Sequence, residues 1–484
     1  MKKSTKNLLI MAAVLLVLGV AAAMLLLLPS GGEEETPSSA PSSQVSDVGT
    51  EALTELASED VTAISVKNAE DSFAFVQEGG DFTLQGFEDY SINSAAVTGS
   101  VQSLLSMTPS KSLGSRDDLQ EFGLSGKDAV QVEISCKDGS AVKLVLGSEA
   151  GESTGRYVLK DDEVYIVPNV MEQLYGSKFG YFSTFLYSIA DRTQTVTDSN
   201  GSISTETLSD ILYRITLSGS NFPEEVKIEY NEDVLSMFLM TAPVRAESGT
   251  MAMEDLTAAL KAPEAAEVVA AGLTEEVLEE YGLNEPFAKA EFTLNSDSHT
   301  VTVSEADLEN NRYLLLDDRD VVYKVTRSTV AAWAESNVLE LRMSYIWLPN
   351  IKDVQRITLT AEGDMVYRFD IERTVNEELS TETNTQYDLT IKNAAGNDVV
   401  YEDYQKFYQN LIGTAVLSID RTEHSGDTPL LRVEYGYFVG SGKNVIEFYL
   451  IENDRCVALL DGEFNGVVRK SEVDKLLSRL AELS

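Results

Sequence analysis

Short runs of alternating hydrophobic and polar residues begin near Val61 and continue along most of the chain. Ile64 and Val66 alternate with polar neighbours, and Phe73, Phe75, Phe82 and Leu84 extend the pattern on either side of Glu78-Gly-Gly80. A period of two sends successive side chains to opposite faces, so these stretches predict short strands with one face on a core. The period then changes. Val97, Val101, Leu104 and Leu105 fall at i, i+4, i+7 and i+8, which predicts a helix with one apolar face, capped by Asn93 or Ser94. Alternation returns at Val130, Val132, Ile134 and Cys136; Asp138-Gly139 supplies a hairpin turn, and Val142, Leu144 and Leu146 form the returning strand. A second hairpin runs over 156–159 and 164–167 around Asp161-Asp162, and a short helix is expected over 170–174.

This pattern is written twice. Leu119-Gln-Glu-Phe-Gly-Leu124 returns as Leu278-Glu-Glu-Tyr-Gly-Leu283, Arg156-Tyr-Val-Leu159 as Arg312-Tyr-Leu-Leu315, and Val164-Tyr-Ile-Val167 as Val322-Tyr-Lys-Val325. The offsets are 159, 156 and 158 residues, as expected of two copies that differ by small insertions. Each Gly-Leu pair reads as a helix stop, with the glycine left-handed and the leucine folding back as the hydrophobic contact. Ser115 is the expected cap of the first short helix, through a capping box with Asp118, and Thr274 that of the second. The expected helix of 170–174 has its counterpart over 329–334.

The front halves repeat more weakly and a third time. Arg214-Ile-Thr-Leu217 recurs verbatim as Arg356-Ile-Thr-Leu359, with Ala63-Ile-Ser-Val66 at the matching place. Helices follow over 253–261 and over 401–412, where Tyr404, Phe407, Tyr408 and Leu411 share a face. A third back half survives over 433–468, closed by a helix that Ser471 caps and that turns Val473, Leu476, Leu477 and Leu480 inward. The expected fold is α+β: three related modules, each an antiparallel sheet with helices on one face, after a single N-terminal transmembrane helix. The boundaries are 1–28 for a cytoplasmic tip and anchor, 29–57 for a flexible stalk, and 58–190, 206–347 and 352–484 for the modules.

The anchor rests on Lys2, Lys3 and Lys6 followed by an uncharged apolar run from Leu8 to Leu28. At 1.5 Å per residue that run spans roughly 31 Å, about one hydrocarbon core. Glu33-Glu-Glu35 lies beyond it, so the excess of basic residues places the N-terminus in the cytoplasm and the bulk of the chain outside the cell membrane. A cleaved signal peptide is the competing reading, because Ala21-Ala-Ala23 offers small residues; the apolar run continues past them, which favours an uncleaved anchor. The segment rich in Ser, Pro, Gly and Glu after Pro29 reads as the stalk.

Acidic residues outnumber basic ones 79 to 37, a net charge of −42. Such a surface repels nucleic acid and anionic headgroups and leaves cations, basic proteins and neutral glycans as partners. The two cysteines, Cys136 and Cys456, fall at non-equivalent points of different modules, so the repeat predicts no pairing and two buried thiols.

Together these motifs resemble the bacterial domain of unknown function 4340 family over most of the chain beyond the anchor. The resemblance rests on the N-terminal anchor, the strand-helix front, Phe122-Gly-Leu124, Gly147 at a strand end, Gly155-Arg-Tyr157 with Val164-Tyr-Ile166, and the echo of these in Tyr281-Gly-Leu283 and Arg312-Tyr313. The chain departs from the pattern at Ser304, where the glycine after the strand is missing. The resemblance implies an accessory envelope protein whose partner is an ABC-type permease and ATPase complex. It implies no catalytic residues, cofactor or metal.

The residues themselves point to no reaction. His299, beside an expected hairpin turn, and His424, in a polar stretch, lack a second ligand at metal spacing and read as solvated loop histidines. Gly-x-Ser-x-Gly, His-Glu-x-x-His and phosphate-binding glycine patterns are missing from the sequence. Asp161-Asp-Glu163 and Asp317-Asp-Arg-Asp320 occupy equivalent turns and lack the spacing of a calcium loop. The best binding candidate is the aromatic run through Tyr181, Phe182 and Phe185, with Tyr345 and Trp347 as its counterpart in the second copy. Exposed, it would stack on a glycan or dock a partner; buried, it is the seam between modules. The expectation is a non-enzymatic accessory protein, with a glycan- or solute-binding module as the alternative and an envelope hydrolase behind it.

Overall fold

The computed structural model describes residues 51–483 except 152–153, 198–200, 362, 364, 382–384, 425, 427 and 441. The expected anchor and most of the expected stalk lie outside the described residues. Among those described, no helix is long and apolar enough to cross a membrane.

Three antiparallel sheets carry the fold. The first has eight strands, in the order Asp81–Leu84, Ser72–Glu78, Val61–Lys67, Val130–Cys136, Ala141–Glu149, Arg156–Lys160, Glu163–Val167 and Lys111–Gly114. The other two have nine strands each in the same order, with one short strand added at the front edge. In every sheet a front hairpin is joined to a four-strand meander through one central pairing. Ile64 lies opposite Ile134, Ile215 opposite Phe292, and Ile357 opposite Tyr435. The two Arg-Ile-Thr-Leu stretches thus sit on equivalent central strands. The strand after the front helix crosses to the far edge, where it pairs with the last strand of the meander.

Alternation has the physical outcome expected of it. Ile64, Val66, Val130, Val132 and Ile134 are buried, whereas Lys67, Gln131, Glu133 and Lys143 stay on the open side. In the second and third sheets the helices Thr250–Lys261 and Arg327–Ala334, and then Tyr401–Ile412 and Lys470–Leu483, contact each other in pairs. One continuous core runs through the first and second sheets, holding Phe75, Tyr181, Leu217 and Trp333 together. The third sheet has a separate core built on Phe369, Tyr404, Phe407 and Phe448.

Several local expectations are corrected. Leu53 and Thr54 are buried, and Thr54–Glu55 pairs with Ser106–Met107, so packing begins inside the segment expected to be stalk. The helix expected over 170–174 is instead two 3₁₀ turns, Glu172–Tyr175 and Lys178–Tyr181, because Gly176 stops the first after one turn. Ser115 caps nothing: the turn after it is only Leu119–Phe122, Asp118 holds the cap position without a side-chain bond, and so short a turn exposes few amides to cap. Ser471 lies inside its helix, which starts at Lys470, whose amide is taken by the Asp454 carbonyl at 2.9 Å. The hairpin of Thr193–Thr197 with Ile203–Thr207 was not foreseen. The helix stops do form: Gly123 and Gly282 each have φ of +65°. Leu283 donates back to the Leu278 carbonyl at 2.7 Å, and Thr274 caps the Val277 amide at 3.2 Å. Both cysteines are free; Cys456 is buried, which pushes its thiol up to about 11, while Cys136 is only half-buried.

Candidate functional site

The residues that carry the family resemblance turn out to be joints. Arg156 donates to the Gly147 carbonyl at 3.4 Å and to Glu172 at 2.6 Å. Its counterpart Arg312, 3% exposed, donates to the Ser304 carbonyl at 2.6 Å and to Glu335 at 2.7 Å. Each arginine ties the end of a meander strand to the segment that follows the sheet. A Cβ on Gly147 would collide with the Phe122 carbonyl oxygen, so the glycine lets the helix stop lie on the strand. In the second copy Ser304 stands 3.7 Å from the Cβ position of Gly282, a looser fit that tolerates a side chain. Gly147→Ala is therefore expected to destabilise the first module by about 1–3 kcal/mol, the usual cost of overpacking, read as a lowered urea midpoint.

The seams between sheets are also repeated. Ile92 bridges Phe182 at the first seam and Ser248 bridges Arg342 at the second; Phe185 bridges Glu264, and Tyr345 bridges Ala415. The candidate aromatic residues lie on these two seams but do not form one surface. Tyr181 is fully buried, 5.0 Å edge-on to Phe75, with its hydroxyl 3.0 Å from Ser100 Oγ. Phe182 is buried against Phe87, Tyr90 and Phe179. Both are closed to a ligand, because their rings are packed into the first core. Phe185 is 63% exposed, while Tyr345 and Trp347 are half-buried.

Arg342 occupies the place of Phe182 at the second seam. Its guanidinium is buried and donates to the Asn465 carbonyl, to Asn465 Oδ1 at 2.9 Å, to the Tyr345 carbonyl at 2.8 Å and to the Met343 carbonyl at 2.9 Å. Asn465 in turn donates to the Arg245 carbonyl at 2.6 Å. Every acceptor is neutral, and burial pulls the guanidinium down to about 10. These bonds link the second sheet to the third across 123 residues of sequence, a distance over which no local pattern signals a partner.

Beside this link lies a cleft of about 810 Å³, large enough for a small solute or a partner's side chain. The Asn231–Met237 loop stretch, the 347–353 connection and the end of the strand Leu431–Tyr437 supply its walls. Trp347 donates to Tyr437 Oη at 3.2 Å, and that hydroxyl donates to Asn444 Oδ1 at 2.7 Å. Arg245 lies over the Trp347 ring at 5.7 Å and pairs with Asp461. Glu247, 4% exposed, accepts the Ser236 amide at 3.2 Å. Burial pushes its carboxyl above the ordinary range, and hydrogen bonds from the Ser236 amide and side chain and from the Leu235 amide pull part of the way back. Among the described residues no lysine or arginine nitrogen pairs with it. Sequence reasoning reached Trp347 here and missed Arg245, Glu247 and Tyr437; Arg245-Ala-Glu247, charged residues alternating with buried Val244 and Ala246, was the one available signal.

His299 is not a solvated loop residue, whereas His424 does lie in a loop, half-buried. His299 lies in the strand Asp297–Val303, with Nδ1 2.9 Å from Asp317 and its ring stacked 4.1 Å from Tyr187. His424 stacks 3.9 Å from Tyr449. Asp161, Asp162 and Asp317 all take positive φ, the conformation of tight hairpin turns. Among the described residues no three metal-ligating side chains converge. Comparison of the chain with protein-family models, with curated proteins and with solved structures returns no match.

Proposed function

We propose that this chain is a non-enzymatic, membrane-anchored extracytoplasmic protein that serves as a protein-binding accessory subunit of an ABC-type envelope or transport complex. The observation that supports it most is the serial use of one strand order in three sheets, each with a polar face left open. Lys67, Glu133 and Lys143 line the first such face, Arg214 and Glu291 the second, and Arg356, Arg432 and Glu434 the third. Mixed-charge faces of this kind favour specific, polar contact with other proteins. The buried arginines Arg312 and Arg342 are occupied in holding elements together, a use of charge that suits a scaffold. The resemblance to the domain of unknown function 4340 family supplies the identity of the partner, a permease and its ATPase. After gentle solubilisation of the native membrane, the protein is expected to migrate in a complex; migration as a solitary chain would sink the reading.

A second reading, a glycan- or solute-binding module, is favoured by one observation: Trp347 and Tyr437 remain accessible on the cleft between the second and third sheets.

A further inference from the structure

The cleft beside Trp347 has an imbalance of charge that points to its ligand. Among the described residues Glu232, Asp233, Glu247 and Asp353 line it, against the single cation Arg245. Arg245 is already paired with Asp461, and among the described residues Asp353 pairs with Arg373 alone, at 3.7 Å. Glu247 is the strongest indication. A carboxylate this buried ordinarily has a cationic partner, yet its bonds come from the Ser236 and Leu235 amides and the Ser236 side chain, none of them cationic. An arriving cation would return the Coulomb attraction that burial without a counter-ion withholds, at low local dielectric.

The walls decide what kind of cation. Leu235, Met237 and Val439 line the cleft and are 64%, 52% and 81% exposed, large apolar side chains with no core to enter. Met237 also has φ of +61°, a strained backbone for a bulky residue at the cleft rim. A bare metal ion would gain nothing from these groups, and no three metal-ligating side chains converge among the described residues. An alkyl chain bearing ammonium groups would use both sets: methylenes against Leu235 and Met237, N–H donors toward the carboxylates, and a cation near the Trp347 ring. A neutral glycan would use the ring and leave the buried carboxylate uncompensated.

We propose that the cleft between the second and third sheets binds a linear alkylammonium ligand of the polyamine class, held by Glu247 and Asp353 against the wall formed by Trp347 and Met237. This rests on the solute-binding reading of the cleft and names its ligand class; it is compatible with an accessory subunit that also senses a solute.

The test uses the full chain in mild detergent at about 0.15 M salt, where exposed charges more than about 8 Å apart are largely screened. Spermidine is titrated by calorimetry and by tryptophan fluorescence. The chain has two tryptophans, and Trp333 is buried, so Trp347 carries the ligand-dependent signal. The expected result is one saturable site per chain with a change in Trp347 emission, weakened at least tenfold in Glu247→Gln and in Asp353→Asn. Glu206→Gln, on the exposed hairpin of the first seam, is expected to bind as the wild type does. Asp353 is largely exposed, so its variant keeps the test decisive if Glu247→Gln fails to fold. Weak binding at many sites, unchanged by either cleft variant, would overturn the proposal as counter-ion behaviour of an acidic chain. A neutral oligosaccharide that changes Trp347 emission where spermidine does not would overturn it too, while leaving the solute-binding reading standing. Silence from both ligands would remove the two together.

Discussion

Arg342→Ala is expected to split the unfolding of the protein into two transitions, with the third module melting first. The side chain makes four hydrogen bonds from a buried charged group, three of them to Asn465 and Tyr345. Bonds from charged donors contribute roughly 1.5–3 kcal/mol each, and they are not additive, so a loss on the order of 3 kcal/mol is expected. The loss falls on the seam, because the first two sheets share a core and the third has its own. Trp333 lies in the shared core and Trp347 at the seam, so each transition has a fluorescent reporter. Arg342→Lys is not expected to rescue, since a lysine cannot present the planar fork that reaches Asn465 twice. A single transition at the wild-type midpoint in Arg342→Ala would show that the seam does not depend on this residue.

The second large effect concerns acid stability. Glu335 accepts from Arg327 at 2.7 and 2.8 Å and from Arg312 at 2.7 Å, and its side chain is 22% exposed. Bonding to Arg327, and then to Arg312, against an opposing effect of burial, lowers its carboxyl from 4.5 to about 2. A folded-state value below the unfolded one stabilises the fold at pH above the unfolded value. That stabilisation, on the order of 3 kcal/mol for a shift of this size, is complete above about pH 5 and declines as pH falls toward 2. Glu335→Gln removes the titrating group. The difference in unfolding free energy between wild type and variant is therefore expected to be largest at neutral pH and to shrink through the window from 4.5 to 2. A difference that stays constant down to pH 2 would mean that the charge of Glu335 does not support the fold.

Local periodicity made most of the sheet legible. The alternation at Val130 to Cys136, the Asp-Gly turn after it and the helix face of Tyr404, Phe407, Tyr408 and Leu411 each depend on a few neighbouring residues, and each is present in the structure. The duplicated Gly-Leu helix stop was readable for the same reason. Side-chain capping was less so: Ser115 precedes a turn too short to expose many amides, and at the helix holding Ser471 the Lys470 amide is taken by the Asp454 carbonyl. The aromatic run illustrates a further limit. Tyr181 and Phe185 are four residues apart and alike in composition, yet one closes the first core and the other faces solvent. The cleft was hardly legible at all. Its charges come from residues 232 to 353 and its neutral polar groups include Tyr437 and Asn444, and what places them together is the clamp of Arg342 on Asn465, 123 residues away. Pairing over such separations is set by the arrangement of whole sheets, which no window of sequence contains.

The measurement that bears most directly on the proposed role is affinity purification of the full chain from its own membranes in mild detergent, with mass spectrometry of what accompanies it. The account predicts an ABC-type permease and its ATPase in near-stoichiometric amount. A clean, solitary protein would contradict it and transfer the weight to solute binding at the Trp347 cleft.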